Sequence, residues 1–323
     1  MKKIGVFTSG GDAPGMNACI RAVVRSALHR GLEVVGIYRG YQGLIEGEIK
    51  NLDSHSVSSI ISQGGTILRS ARSKDFMTTE GRKRAYQNLQ QAGIDGIVAI
   101  GGDGTFTGAN IFMQEYPDIK IVGCPGTIDN DLAGTDHTIG FDTAINTAME
   151  AIDKIKDTAN AHDRLFFIEV MGRDAGYIAM AAGIATGAEA VLIPEHKTDL
   201  EELVKVLQNA HDRKKNSSIV VVAEGEEAGG AYQIADYVKS RIDIFEIKVS
   251  ILGHIQRGGS PTCLERVRAS RMGVSATEAL LDGKSGIMIG IINNELAYTP
   301  FEKAIKKAGD ISPKYLDLIR DLN

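Results

Sequence analysis

At 323 residues the chain has room for two domains and a substantial core. Its 36 basic and 41 acidic residues leave a net charge of −5, which argues against nucleic acid or an anionic membrane surface as the main partner. No apolar stretch nears the ~20 residues of a bilayer span. Met1-Lys2-Lys3 leads into a strand-like run rather than a signal peptide, and Cys19, Cys124 and Cys263 lack metal-ligand spacing. A cytoplasmic protein with thiols packed as small core residues is expected.

Short apolar runs alternate with amphipathic stretches along almost the whole chain. Ile4–Thr8 reads as a strand, Gly10–Gly15 as a loop, Met16–Arg30 as a helix and Glu33–Tyr38 as a second strand. Further strands are expected at Ile97–Ile100, Lys120–Cys124, Leu165–Val170, Ala190–Ile193, Ile219–Ala223, Lys248–Leu252 and Ile287–Ile291. Helices are expected over Thr143–Asp157, Leu200–Arg213 and Leu264–Leu281. Strands separated by helices of this length predict βαβ units, mainly parallel sheets and an α/β fold. Nine or more strands predict two sheets. With no Pro- or Ser-rich linker, the domain boundary falls in a tight connection near Gly140, with a return crossing near His254.

Ligands of such sheets bind outside the carboxyl ends of the strands, where several loops carry reactive residue types. Thr8–Gly15 joins a strand to a helix; its glycines either let backbone N–H groups approach a phosphate or form a tight structural turn. Gly101-Gly102-Asp103-Gly104-Thr105 repeats that context and adds a carboxylate, either a Mg²⁺ ligand beside a nucleotide's phosphates or a helix N-cap. A string of this kind also marks lipid and nicotinamide-dinucleotide kinases. Pro125–Asp131 places two carboxylates and a hydroxyl in a loop after a buried strand. Asp129 suits the orientation and deprotonation of an acceptor hydroxyl, and Thr127 suits a hydrogen bond to the transferring phosphoryl group. Asp131 is either structural or orders metal-bound water. Met171–Gly176, Ala223–Gly225 and His254–Pro261 put Arg173, Glu224 and His254 at further strand ends. Any one of these charges is ordinary; their repetition predicts a ligand crevice, and the loops together predict a phosphotransferase.

Taken in order, TSGGDAPGMN at 8–17, QGGTIL with SAR at 63–72, GGDG at 101–104, PGTIDND at 125–131, VMGR at 170–173, VAEG at 222–225 and LGHIQRGGSP at 252–261 resemble bacterial 6-phosphofructokinase. The resemblance spans nearly the whole chain and fades after about Pro300. It implies two Rossmann-like, three-layer α/β domains with the active site in the cleft between them. Residues 1–140 plus 256–306 would form the larger ATP domain, and 141–255 plus 307–323 the smaller sugar-phosphate domain. ATP or Mg²⁺ contacts are implied for Gly11, Tyr41, Arg72, Ser73, Gly102, Asp103, Gly104 and Thr105, with Asp103 the metal residue. Asp129 is implied as the base on the sugar's 1-hydroxyl, Thr127 as a donor to the phosphoryl group, and Arg72 and Arg173 as the cations that span donor and acceptor. Met171, Gly172, Glu224, His254 and Arg257 match contacts to fructose 6-phosphate.

Arg164 and Lys248 match residues with which a neighbouring subunit grips the 6-phosphate, implying a homotetramer. Lys248 stands where many relatives carry Arg, and loss of the bidentate fork predicts a weaker grip. An effector site for ADP, GDP or phosphoenolpyruvate is implied at Arg21, Arg25, Lys156, Glu189, Arg213 and Lys215. Ser54, Ser59, Asn216 and Ser217 stand where well-regulated relatives often carry charged or imidazole side chains, which predicts weak coupling to catalysis. One alternative is a pyrophosphate-dependent enzyme of the same fold, but such enzymes typically carry Asp at the position of Gly104 and Lys at Gly126, and two glycines leave room for ATP. The other is a non-catalytic sugar-phosphate or nucleotide sensor, which would not need Asp103, Thr127, Asp129 and Arg173 together.

Overall fold

The alternation of apolar and amphipathic segments resolves into two sheets in a computed structural model that describes residues 1–159, 164–213, 218–304 and 311–322. The chain divides into two units, one of Met1–Thr143 with Arg257–Lys307, the other of Ala144–Gln256 with Ala308–Asn323. Among the described residues no helix is long and apolar enough to cross a membrane.

The first unit is built on β1 (Lys3–Thr8), β2 (Glu33–Ile37), β3 (Ile49–Leu52), β4 (Gly96–Gly101), β5 (Lys120–Thr127), β6 (Ile139–Gly140), β11 (Ile287–Ile292) and β12 (Glu295–Pro300). Their order is β12-β11-β5-β4-β1-β2-β3, with β6 on β5. The central strands β1, β4 and β5 pair in parallel and are almost wholly buried, as continuous apolar runs require when helices cover both faces. Thr8 pairs with Ile100 and Gly101 with Pro125, so the carboxyl ends of the three strands lie side by side. Helices α1 (Met16–His29), α2 (Gly40–Glu46), α3 (Thr79–Ala92), α4 (Asp103–Glu115) and α9 (Cys263–Leu281) complete the unit. Phe7, Tyr41, Phe76, Phe106 and Phe112 meet in its core.

Two features differ from expectation. β5 does not end at Cys124 but continues through Pro125-Gly126-Thr127. Beyond the end of β4 it gains a new partner, with Gly126 opposite Ile139 and Thr127 opposite Gly140. Both edges of the sheet are antiparallel, β3 on β2 and β12 on β11.

The second unit holds a four-stranded, all-parallel sheet in the order β10-β7-β9-β8. It consists of β7 (Arg164–Val170), β8 (Ala190–Leu192), β9 (Ser218–Ala223) and β10 (Glu246–Ile251), with α6 (Tyr177–Thr186), α7 (Leu200–Asp212), α8 (Ala231–Lys239) and α10 (Lys314–Leu322). Helix α5 (Phe141–Ala159) carries the chain from the first unit into the second. Ile251 pairs with Glu169 and Val170 with Ala223, so here too three strand ends are aligned.

Candidate active site

In the first unit, Ser9 N donates to Ile100 O at 2.9 Å, joining the loops that follow β1 and β4. Helices α1 and α4 begin at Gly15 and Gly102 with no side-chain cap, as do α2, α6 and α8, whereas α3, α7 and α9 are capped by Thr78, Asp199 and Thr262. First-turn N–H groups left without a capping side chain favour an anion. Gly102, not Asp103, is the N-cap of α4, so the capping role for Asp103 falls away. Gly104 is exposed, and a Cβ there would meet nothing within 4 Å. Neither packing nor backbone conformation calls for glycine at this helical position, where it is worth ~1 kcal/mol less than alanine. At Gly11 a Cβ would lie 2.6 Å from Arg257 Nη1, the movable end of a side chain that itself donates to Asp12 O at 3.3 Å.

The segment before Arg72 is pinned over β1 by two buried polar residues for which the sequence reading offered no role. Asn17 donates through Nδ2 to Gln63 O at 3.2 Å and Gly64 O at 3.1 Å, and accepts from Ile67 N at 2.8 Å. Thr8 Oγ1 donates to Arg69 O at 2.7 Å. Polar side chains inside otherwise apolar elements were the available signal. Arg72 itself is exposed. Ser73 Oγ donates to Gln42 at 2.7 Å and accepts from Phe76 N at 3.1 Å, opening the short turn Asp75–Met77.

Tyr41 is buried rather than open to solvent. It is 6% exposed, its ring stacks on Phe76 with centroids 3.9 Å apart, and its hydroxyl donates to Thr105 O at 2.6 Å. Tyr41 is a core residue that supports the start of α4. The expectation that Gly126 leaves room for a ligand is corrected: a Cβ there would meet Met16 Cε at 2.8 Å and Gly101 N at 3.2 Å inside the sheet.

At the end of β5, Asn130 turns the chain with φ +54°. Its Nδ2 donates to Asp136 O at 3.0 Å, its Oδ1 accepts from Thr138 N at 2.8 Å, and Thr138 Oγ1 donates to Thr127 O at 2.6 Å. Thr127 Oγ1 accepts from Asp129 N at 3.2 Å. This bracing holds Asp129, 4% exposed, with Oδ1 buried and without a hydrogen-bond partner. An orphaned buried carboxylate oxygen is costly unless something arrives to hydrogen-bond it. Among the described residues no three His, Cys, Asp or Glu side chains converge as a metal-ligand set. Mg²⁺ that travels with phosphates needs only one or two protein carboxylates, and Asp103 at the glycine-bounded start of α4 fits that donor set.

In the second unit Met171, Gly172 and Arg173 follow β7, Glu224 follows β9 and His254 follows β10. Glu224 N donates to Val170 O at 3.0 Å, and Glu224 Oε1 accepts from Arg173 N at 2.8 Å. Gly172 (φ +146°) and Arg173 (φ +58°) both leave the strand in the left-handed region. A Cβ on Gly225 would lie 2.0 Å from Arg173 O, so glycine permits this close approach. Met171 is buried, while the Arg173, Glu224 and His254 side chains are exposed.

Arg164 and Lys248 belong elsewhere. Arg164 starts β7, and seven residues at about 3.3 Å each put it about 23 Å along the strand direction from Met171. Arg164 Nε binds Glu246 Oε2 at 2.6 Å and Lys248 Nζ binds Glu246 Oε1 at 2.8 Å. Hydrogen bonds from Lys248 and Arg164 hold the Glu246 carboxyl down at about 2. Of the residues expected at an effector site, Arg21 and Arg25 lie one turn apart on α1 in the first unit, and Lys156, Glu189 and Arg213 lie in the second. Lys156 Nζ donates to Thr186 O at 2.7 Å. Lys215, Asn216 and Ser217 lie outside the described residues.

Comparison with known proteins agrees with this geometry. The chain matches the family model Phosphofructokinase over residues 3–280. It is 54% identical over 323 residues to ATP-dependent 6-phosphofructokinase 2 of Bacteroides thetaiotaomicron, covering 100% of this chain and 99% of that protein. It is 56% identical over 318 residues to ATP-dependent 6-phosphofructokinase 1 of Thermus thermophilus, covering 98% of each. Among solved structures, Pichia pastoris phosphofructokinase in the T-state aligns with a TM-score of 0.89 at 37% identity, over 94% of this chain and 35% of that longer one. With glycine-bounded loops and a braced, orphaned carboxylate at its strand ends, the chain belongs to the phosphofructokinase family.

Proposed function

We propose that the chain transfers the γ-phosphoryl group of ATP to the 1-hydroxyl of fructose 6-phosphate, giving fructose 1,6-bisphosphate and ADP. The observation that carries this reading is Asp129 Oδ1, buried and unpartnered at the end of β5. Such an oxygen accepts the sugar hydroxyl, aligns it and takes its proton as the oxygen–phosphorus bond forms. Thr127, at the last position of β5, donates to the phosphoryl oxygens. The start of α4 and the loop after β1 take the nucleotide's phosphates, with Gly11, Gly102, Gly104 and Thr105 supplying close backbone approach. Asp103 would hold Mg²⁺, which would neutralise phosphate charge. Arg72 and Arg173 balance the charge that spreads over the phosphoryl oxygens. Met171, Gly172, Glu224, His254 and Arg257 hold the sugar phosphate.

ATP rather than pyrophosphate is the donor because Gly104 has open space over it and no structural need to be glycine. Arg164 and Lys248 serve the 6-phosphate of another subunit's substrate in a homotetramer, a reading supported by the place of Arg164 at the opposite end of β7 from Met171, with Lys248 on β10 sharing its partner Glu246. The cytoplasm is the proposed location, in keeping with three unpaired cysteines. Asp129→Ser tests the central role: kcat should fall by about 10²–10⁴ while binding of fructose 6-phosphate persists. A kcat near that of the wild type removes Asp129 from the chemistry.

A further inference from the structure

We infer that Gln256 is a positioning residue for fructose 6-phosphate: its buried amide ties the loop after β7 to the turn after β10 and so sets Met171 and His254 relative to each other. The inference rests on the reading that those two residues contact the sugar phosphate. Gln256 has 0% exposure, although its neighbour Ile255 is 56% exposed. Its Oε1 accepts from Met171 N at 3.3 Å and its Nε2 donates to Gly253 O at 3.0 Å. A primary amide accepts and donates on one planar group; a carboxylate only accepts, and an apolar side chain does neither.

The amide adds to bonds that hold the neighbouring residues, among them Arg173 N to Glu224 Oε1 at 2.8 Å, and among the described residues it alone holds Met171 N. β7 ends at Val170, and Gly172 and Arg173 then leave the extended region, so no sheet ladder holds Met171. On the other side Gly253, with φ +54°, opens the short turn Gly253–Arg257 on which His254 is carried. Without the amide, Met171 N is a buried donor with no acceptor, and the His254 turn is tied to the end of β7 only through the bond from Leu252 N to Glu169 O, one residue before the turn begins. Gln256 touches neither reactant directly; it acts through the two segments that do.

Two variants test this. Gln256→Met keeps the bulk and removes both hydrogen bonds. Gln256→Glu keeps the acceptor and regains a donor only when protonated. Gln256→Met should raise the KM for fructose 6-phosphate about tenfold, with the KM for ATP changed by less than about twofold. Gln256→Glu should show the same selective rise near pH 8. Its KM relative to wild type at the same pH should move back toward unity as the pH falls, because the protonated acid donates to Gly253 O as the amide does. His254→Ala, measured in parallel, reports on the underlying reading. If His254→Ala raises the sugar-phosphate KM and neither Gln256 variant does, Gln256 is a packing residue and the inference is overturned while the reading stands. If His254→Ala has no effect either, both fall. An equal rise in the KM for ATP, or a loss of activity that only tracks a lower thermal midpoint, also overturns it.

Discussion

Glycine serves different ends within a few residues of this site. Gly225 makes way for the Arg173 carbonyl, Gly172 supplies a left-handed turn, and Gly126 fits a closed sheet. Gly104 does none of these, which supports the proposed reading that the nucleotide needs the space over it. Gly104→Ala should therefore leave the fold intact or stabilise it by up to ~1 kcal/mol, since alanine is the better helix former. The same change should raise the KM for ATP and leave that for fructose 6-phosphate alone. Thermal denaturation and steady-state kinetics on the variant check both halves; an unchanged KM for ATP contradicts the assignment of Gly104 to nucleotide clearance.

At the scale of elements, the start of α9 shows how helices are clamped to one another. Thr262 caps α9 by accepting from Glu265 N at 3.1 Å, but the Glu265 carboxylate does not return to Thr262 N as in a reciprocal capping box. It turns to the start of α5, accepting from Thr143 N at 3.3 Å, and Thr262 N donates instead to Thr143 Oγ1 at 3.3 Å. Burial pushes Glu265 up to about 7, opposed by hydrogen bonds from Gly140 and Thr143 and assisted by Asp142. The folded state thus holds this proton more tightly than the unfolded chain, whose carboxyl titrates near 4.3. The associated stability is present below that value and is lost as the pH rises through about 7. Glu265→Gln removes the titration, so its stability relative to wild type should improve between about pH 5 and pH 8, by on the order of 2–3 kcal/mol at most. Denaturant titrations of both proteins across that range measure it; a gap that does not move with pH contradicts it.

The same scale separates what the sequence made legible from what it did not. The parallel strands were readable because burial on both faces writes each as an apolar run, and the reactive loops were readable because they follow those runs. β3 and β12 escaped because edge strands are only partly buried; Lys50 and Asn51 in β3 are exposed. The burial of Tyr41 was not legible, because an aromatic side chain next to a phosphate loop reads alike whether it faces ligand or core. Asn17, Gln256 and Glu265 work through partners 46, 85 and 122 residues away. No local pattern announces such partners.

For the molecule as a whole, the proposed effector cations are divided between the two units, and the serines at 54 and 59 add no charge to them. Each missing cation removes a charge-assisted hydrogen bond of about 1.5–3 kcal/mol, comparable with an entire allosteric coupling. Saturation with fructose 6-phosphate should therefore be close to hyperbolic, and phosphoenolpyruvate or ADP should move half-saturation by less than about fivefold. A strongly sigmoidal curve displaced tenfold or more by either ligand contradicts weak coupling. The central claim, that the braced loop at Asp129 directs ATP's γ-phosphoryl group onto a sugar hydroxyl, is tested most directly by initial rates of fructose 1,6-bisphosphate formation from fructose 6-phosphate and Mg²⁺. The donor should be ATP in one arm and pyrophosphate in the other. The account predicts turnover with ATP that is lost in Asp129→Ser and little or none with pyrophosphate; faster turnover with pyrophosphate, or none with either donor, would contradict it.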